Sequence, residues 1–310
     1  MTSYWEEQRL NDATVALALS GGPDSMALYR ALVILKKKLI VLHVDHRLRP
    51  TSADEAAKLQ EITRQDGVPF FLHTLAKIDK NAPNLEDQLR NARYAFFSQT
   101  LEAENIHHLF LGHQQADVEE TVLKRILEGA SLFKIPALIA PKQRGSVTLH
   151  RPLTSFKKEQ LMAFLKELKS GFFIDETNSD LKFLRARMRE VIFPFLNQSF
   201  EKRIDGKFYQ LAKELQLVID YLKQVCQPHL NQLEERHDGL FFPQLSIPLV
   251  ELQYIFSHIF DRLHESPTKD QVQTLIRLYL AKAPDKQVIL KNYRAVCRKK
   301  GVTFIKKISS

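Results

Sequence analysis

Five short stretches in the first half of the chain read as strands, residues 14–19, 39–46, 69–75, 107–113 and 147–153, the first of them small, apolar and β-branched. The second contains "LIVLHVD", a near-continuous apolar run of the kind found in strands buried on both faces. Between these stretches the apolar positions fall at helical spacing, over residues 25–36, 52–65, 85–103 and 117–127. Alternating strands and helices predict an α/β fold with a doubly wound, mainly parallel sheet. Beyond Leu153 the pattern changes. Residues 156–169 read as a helix with Phe156, Leu161, Phe164, Leu165 and Leu168 on one face. A polar loop, "DETNSD", leads to a basic helix over 180–196, ended by Pro194, and a long helix over 207–235, broken at Pro228. Two further helices are expected over 247–263 and 268–283. Two strands follow over 287–297 and 302–308, joined by the turn "KKGV". The expected organisation is a catalytic α/β domain with a helical extension over 1–215, a helical linker over 216–240, and a small α+β domain over 241–310.

Hydrophobic residues make up 44% of the 310, enough for a sizeable core. No apolar run approaches the ~18 residues of a membrane helix. The polar opening "MTSYWEEQRL" does not read as a signal peptide. Two cysteines, Cys226 and Cys297, make neither a disulfide framework nor a metal knuckle, and suit a reducing cytosol. The net charge of +9 is uneven. Residues 282–307 hold nine basic side chains against one acidic, Asp285. Residues 182–213 hold eight against three. A polyanion such as nucleic acid is the expected partner, and a merely solvated basic surface is the alternative.

The most informative segment joins the first strand to the first long helix: Ser20-Gly21-Gly22-Pro23-Asp24-Ser25. Glycines let the backbone turn sharply, so that several N–H groups face one anion, and the helix N-terminus adds partial positive charge. In a doubly wound sheet ligands bind at the carboxyl ends of the strands, where this loop lies. It lacks the lysine of the Gly-x-x-x-x-Gly-Lys-Ser/Thr loop, and it is not the dinucleotide Gly-x-Gly-x-x-Gly. All six positions resemble the pyrophosphate loop of the N-type ATP pyrophosphatases, or PP-loop enzymes, which split ATP into AMP and pyrophosphate. The resemblance makes Ser20, Gly21, Gly22, Pro23, Asp24 and Ser25 the ATP site. Asp24 is repelled by phosphate, so Mg²⁺ is expected between them.

Further segments resemble the tRNA(Ile)-lysidine synthetases, in order and in spacing. They are "HVDHRLRPTSADEA", "EDQLRNARYAFF", "LGHQQADVEETVLKRILEGA", "RPL", "DETNSDLKFLRARMRE" and the C-terminal "KQVILKNYRAVCRKKGVTFIKK". The resemblance implies ATP-dependent ligation of free L-lysine to carbon 2 of the first anticodon cytidine of a CAU-anticodon isoleucine tRNA. The base is first adenylated on its carbon 2 oxygen, and AMP and pyrophosphate are released. Carried over by position, Asp24, Asp117 and Glu120 are the catalytic acids, and Asp24 and Asp117 the Mg²⁺ ligands. Glu120 lies close by, or meets the lysine amine instead. His46, Arg49 and His113 complete the ATP site. Arg90, Arg93, Arg185 and Arg189 are expected on phosphates of ATP or tRNA; Arg298, Lys299 and Lys300 are expected on tRNA. The implied setting is cytoplasmic, without a membrane, and the oligomeric state stays open, a homodimer included. Two departures stand out. The family usually has Asp and Gln where this chain has Ala116 and Val118, and the glycine pair before the last basic strand is replaced by "KNYRAV". With no sign of an additional C-terminal domain, the chain reads as a short form. The alternatives are a PP-loop tRNA thiolase, disfavoured because residues 1–225 lack cysteine, and a tRNA- and ATP-binding protein without ligase activity.

Overall fold

The computed structural model describes residues 1–47, 50–75, 85–174 and 181–307. Arg49 and the "DETNSD" loop lie outside them. The chain forms two compact units, residues 1–213 and 214–310.

The first unit is built on a six-stranded sheet. Its strands are β1 (Val15–Ala18), β2 (Leu39–Asp45), β3 (Phe70–Thr74), β4 (His108–Leu111), β5 (Lys142–Arg144) and β6 (Val147–His150). Their order is β3-β2-β1-β4-β6-β5; all neighbours are parallel except β5, which runs antiparallel to β6. Successive side chains of a strand point to opposite faces, and the sequence supplies apolar groups to both. Val15, Leu17, Leu19, Val41 and Phe110 enter one core with Trp5, Leu28, Leu32, Leu59 and Leu161. Ala16, Ile40, Leu42, Val44, Leu109 and Leu111 enter the other with Tyr94, Phe97 and Leu101. The helices that supply these groups are α1 (Thr2–Glu7), α2 (Pro23–Ile34), α3 (Ser52–Gln65), α4 (Leu85–Ala103) and α6 (Lys158–Glu167). The remaining crossover helix, α5 (Gln115–Leu127), follows β4. Strand order turns from 2 and 3 on one side of β1 to 4 and 6 on the other. The switch point, where such sheets bind ligands, therefore lies between β1 and β4.

The helix expected to stop at Pro194 does not stop there. A short α7 (Leu184–Arg187) opens into a wide π turn (Met188–Ile192), and α8 (Phe193–Ser199) follows with Pro194 in its first turn. In a first turn a missing N–H costs little, and the π turn before it absorbs the change of register. Likewise α9 (Lys207–Leu230) contains Pro228 in its last turn instead of breaking there.

The second unit has more strands than the two expected. Its sheet holds β7 (Glu234–Arg236), β8 (Gly239–Pro243), β9 (Lys286–Ile289), β10 (Tyr293–Arg298) and β11 (Gly301–Lys306), all antiparallel, in the order β7-β8-β11-β10-β9. Residues 216–240, read as a helical linker, carry the rest of α9, β7 and the start of β8. The stretch 287–297 is two strands because a turn at Lys291 and Asn292 interrupts it. Both turn amides donate to the buried Glu265 carboxylate, more than 25 residues away in the chain. Helices α10 (Leu249–Arg262) and α11 (Lys269–Leu280) give this sheet its core, where Phe242, Phe256, Phe260, Tyr279 and Phe304 pack largely edge to face.

Phe110 of β4 is fully buried, with its ring 5.1 Å from that of Trp5, the chain's single tryptophan. Phe110→Ala should cost about 3–5 kcal/mol of stability and shift Trp5 emission to the red. Both are read from one denaturant titration followed by fluorescence.

Candidate active site at the carboxyl edge of the sheet

The loop after β1 is preorganised by its own hydroxyls. Ser20 Oγ lies 3.0 Å from Ser25 Oγ, which donates to the Gly22 carbonyl at 3.0 Å and accepts from the Ser20 N–H at 3.2 Å. Gly22 caps α2, and Pro23 fills the first helical position. Gly21 has φ +84°, and a Cβ there would come within 2.5 Å of the Phe173 ring. The Gly21 carbonyl accepts the Phe173 N–H, so the segment after α6 straps the loop. On the other side of the switch point, a Cβ on Gly112 would lie 3.0 Å from the Ser25 backbone. Only glycine lets the end of β4 approach the loop this closely.

β4 hands over to α5 through a capping box. Gln114 Oε1 accepts the Ala116 N–H, and Asp117 Oδ2 accepts the Gln114 N–H at 2.9 Å. The other Asp117 oxygen accepts from Arg189 Nη2 at 3.0 Å, and Arg189 Nε donates to Glu120 Oε1. Arg189, expected on a phosphate, thus binds two carboxylates: the π turn carries it onto the face of α5 where Asp117 and Glu120 lie three residues apart. Neighbouring Glu119, which sequence reasoning passed over, accepts from Gln115 Nε2 and from the Gly206 N–H, both at 2.8 Å.

Among the described residues, eight buried side-chain polar atoms have no partner, and six belong to Asp24, His46, His113, Glu120 and Arg151. These residues follow β1, β2, β4 and β6, at one edge of one sheet. Unsatisfied groups are rare in a folded interior, so this concentration marks a ligand site. Burial, and then the Asp117 carboxylate, push Asp24 up to about 6, against Lys158 and Arg189. Burial also raises Glu120, opposed by Arg189. His46 and His113 are each pushed down to about 4, chiefly by burial, and both stand neutral at pH 7. Arg93 is felt by both histidines, and Arg185 by His113 and Glu120. Arg90 is exposed and stacks with Arg93 and Arg144 around the Tyr94 ring. Arg298, Lys299 and Lys300 sit in the second unit, at the tip of the β10–β11 hairpin. Sequence reasoning missed Arg151, Gly112 and Lys158 as site residues. Arg151 opens the segment "RPL" and Gly112 lies in "LGHQQADVEETVLKRILEGA", so the resemblance marked both segments without singling out either residue; for Lys158 the signal was its place at the start of a helix.

Residues 3–196 match the PP-loop domain family. The chain is 31% identical over 284 residues to the tRNA(Ile)-lysidine synthase of Chlamydia caviae, covering 89% of this chain and 90% of that protein. The chain belongs to the PP-loop family, in its tRNA(Ile)-lysidine synthase group. It is 39% identical over 248 residues to the Protochlamydia amoebophila tRNA(Ile)-lysidine synthase and 38% identical over 212 residues to that of Chlamydia pneumoniae. These matches cover 77% and 68% of this chain, but only 54% and 66% of those proteins. Among solved structures, the U34-tRNA thiolase NcsA from Methanococcus maripaludis shares the fold, with a TM-score of 0.55 and 17% identity over 68% of this chain and 73% of that one.

The family implies ATP with a divalent cation, and the residues fit that pairing. Asp24 keeps a buried oxygen without a partner, whereas both Asp117 oxygens are engaged. Among the described residues no three His, Cys, Asp or Glu side chains converge on one point, so a cation held by Asp24 would take the rest of its oxygen shell from the nucleotide and from water.

A carboxyl whose folded pKa lies above its unfolded value destabilises the fold increasingly as pH rises from the lower value to the higher, here from 3.8 to about 6. Asp24→Asn should therefore stabilise the ligand-free protein by about 1–3 kcal/mol at pH 7.5. The advantage should vanish below pH 4, where Asp24 is protonated in both states. Thermal unfolding across pH 3.5–8 reads this directly.

Proposed function

We propose that this chain ligates L-lysine to the first anticodon cytidine of a CAU-anticodon isoleucine tRNA, using ATP. The observation that carries this is the placing of a phosphate cradle beside a buried carboxylate pair, across the switch point. In the first step the cytidine's carbon 2 oxygen attacks the α-phosphate, and pyrophosphate leaves. The Ser20–Ser25 loop holds the departing group through backbone N–H groups and hydroxyls. In the second step the lysine ε-amine attacks carbon 2, and AMP leaves with its oxygen. The incoming ammonium has to lose a proton first. Glu120 Oε2, buried and without a partner, accepts it, while Arg189 holds the other Glu120 oxygen still. Asp24 would hold Mg²⁺ against the ATP phosphates, screening their charge. Ala116, exposed enough to leave the capping box intact, removes one acidic group without disturbing Asp117. The thiolase reading lacks a nucleophile in the first unit, since both cysteines lie beyond residue 225.

The test supplies full-length protein with ATP, L-lysine and either the isoleucine tRNA transcript or its methionine counterpart. The expected result is AMP and pyrophosphate in step with lysine incorporated, on the isoleucine transcript. Orthophosphate as the product, or AMP release without lysine incorporation, overturns the reading. Glu120→Gln should lower lysine incorporation by about 10²-fold or more, while pyrophosphate release on the tRNA in the absence of lysine is spared.

A further inference from the structure

Arg151 is the buried charge that the chemistry above leaves without a task. It follows β6 directly and is only 6% exposed, yet Nε and Nη1 have no partner. Burying a guanidinium is costly unless something pairs with it, and a ligand is the natural partner. Its backbone is held in place. The carbonyl accepts from the Thr154 hydroxyl at 3.1 Å. The Tyr4 hydroxyl lies 3.1 Å from His150 Nδ1, so α1 clasps the end of β6. Such clamping readies a side chain to bind rather than to adapt.

Position separates this group from the pyrophosphate cradle. The cradle follows β1, and Arg151 follows β6, two strands away across β4, about 10 Å. Neighbouring phosphorus atoms of a triphosphate are closer together than one strand spacing. The charges felt at the two places overlap at Asp117 and otherwise differ. Asp24 feels Asp117, Lys158 and Arg189, whereas His113, after β4, feels Asp117 and then Arg151, Arg185 and Arg93. Guanidinium groups on this side suit a phosphate.

We propose that Arg151 anchors a backbone phosphate next to the target cytidine, holding the acceptor base over the cradle. The proposal rests on the lysine-ligation reading for its choice of RNA. A phosphate of ATP is the other source of the same chemistry, and the experiment separates the two. The binding of an anticodon stem-loop to full-length protein is measured with each phosphate flanking the target cytidine replaced, one at a time, by a neutral methylphosphonate. The wild type, Arg151→Gln and Arg151→Lys are compared. One replacement should weaken wild-type binding about tenfold, the loss of one charge-assisted contact. Arg151→Gln should weaken the unmodified stem-loop equally and be indifferent to that replacement, and Arg151→Lys should restore part of the loss. ATP affinity and the KM for lysine should stay at wild-type values, and the melting temperature should not fall. Additive losses at every phosphate, a loss of ATP affinity, or a raised KM for lysine overturns the proposal. Lost folding in Arg151→Gln with full binding by a folded Arg151→Lys variant that ignores the replacement also overturns it. Because binding is read directly, a wild type that binds the stem-loop but attaches no lysine fails the ligation reading and still decides this one.

Discussion

The approach of the end of β4 to the start of α2 is the constraint on which the rest of the site depends. Gly112 lies where any Cβ would press on the Ser25 backbone. The neighbour is helix backbone, which cannot swing aside as a flexible side chain can. This contact brings His113 and the capping box of α5 beside the loop that holds Ser20, Asp24 and Ser25. It also puts Asp117 near enough to Asp24 to raise its pKa. Without the close packing of β1 against β4, the phosphate loop and the acidic pair would be separate surface features with no joint chemistry.

That proximity crowds like charges in a desolvated place. Asp24, Asp117 and Glu120 lie together; Arg189 bridges two of them, and Lys158 and Arg185 offset Asp24 and Glu120 as well. Such a cluster is held by the surrounding fold at a cost, and a cation or ammonium relieves it. The wider edge follows a gradient of charge, with carboxylates by β1 and α5 and guanidinium groups by β6 and α4. A ligand with an anionic backbone and a reacting centre that meets an amine fits across it.

The supports for this edge come from segments remote in the chain. Phe173 straps Gly21, Glu119 takes the Gly206 amide, and Tyr4 clasps His150, next to Arg151. Each fixes backbone rather than making chemistry. Together they explain why α1 and the stretch after α6 belong to the unit even though neither contributes a strand.

Short-range regularity was legible in the sequence. Short, largely apolar runs bounded by turns specified β1, β2, β3, β4 and β6, and helical spacing specified the helices between them, because these patterns depend only on near neighbours. The Ser20–Ser25 loop was legible for the same reason: six consecutive residues carry its whole geometry. Asp117 and Glu120 were singled out by the resemblance of their segment, and their spacing of three put them on one helix face. The tertiary structure alone decided who faces whom. Arg189 meets Asp117 and Glu120 across 72 and 69 residues. The turn at Lys291 and Asn292 exists because Glu265, from another element, satisfies its amides. β7 is three exposed polar residues, and β8 is an apolar run of only three, Leu240 to Phe242, too short to announce a strand. Arg151 lay in a segment that the resemblance marked, but only burial, which took water from its guanidinium and left Nε and Nη1 without a partner, singled it out. Such pairings have no local signature, since their free energy arises only when topology brings distant backbone together and removes the solvent between.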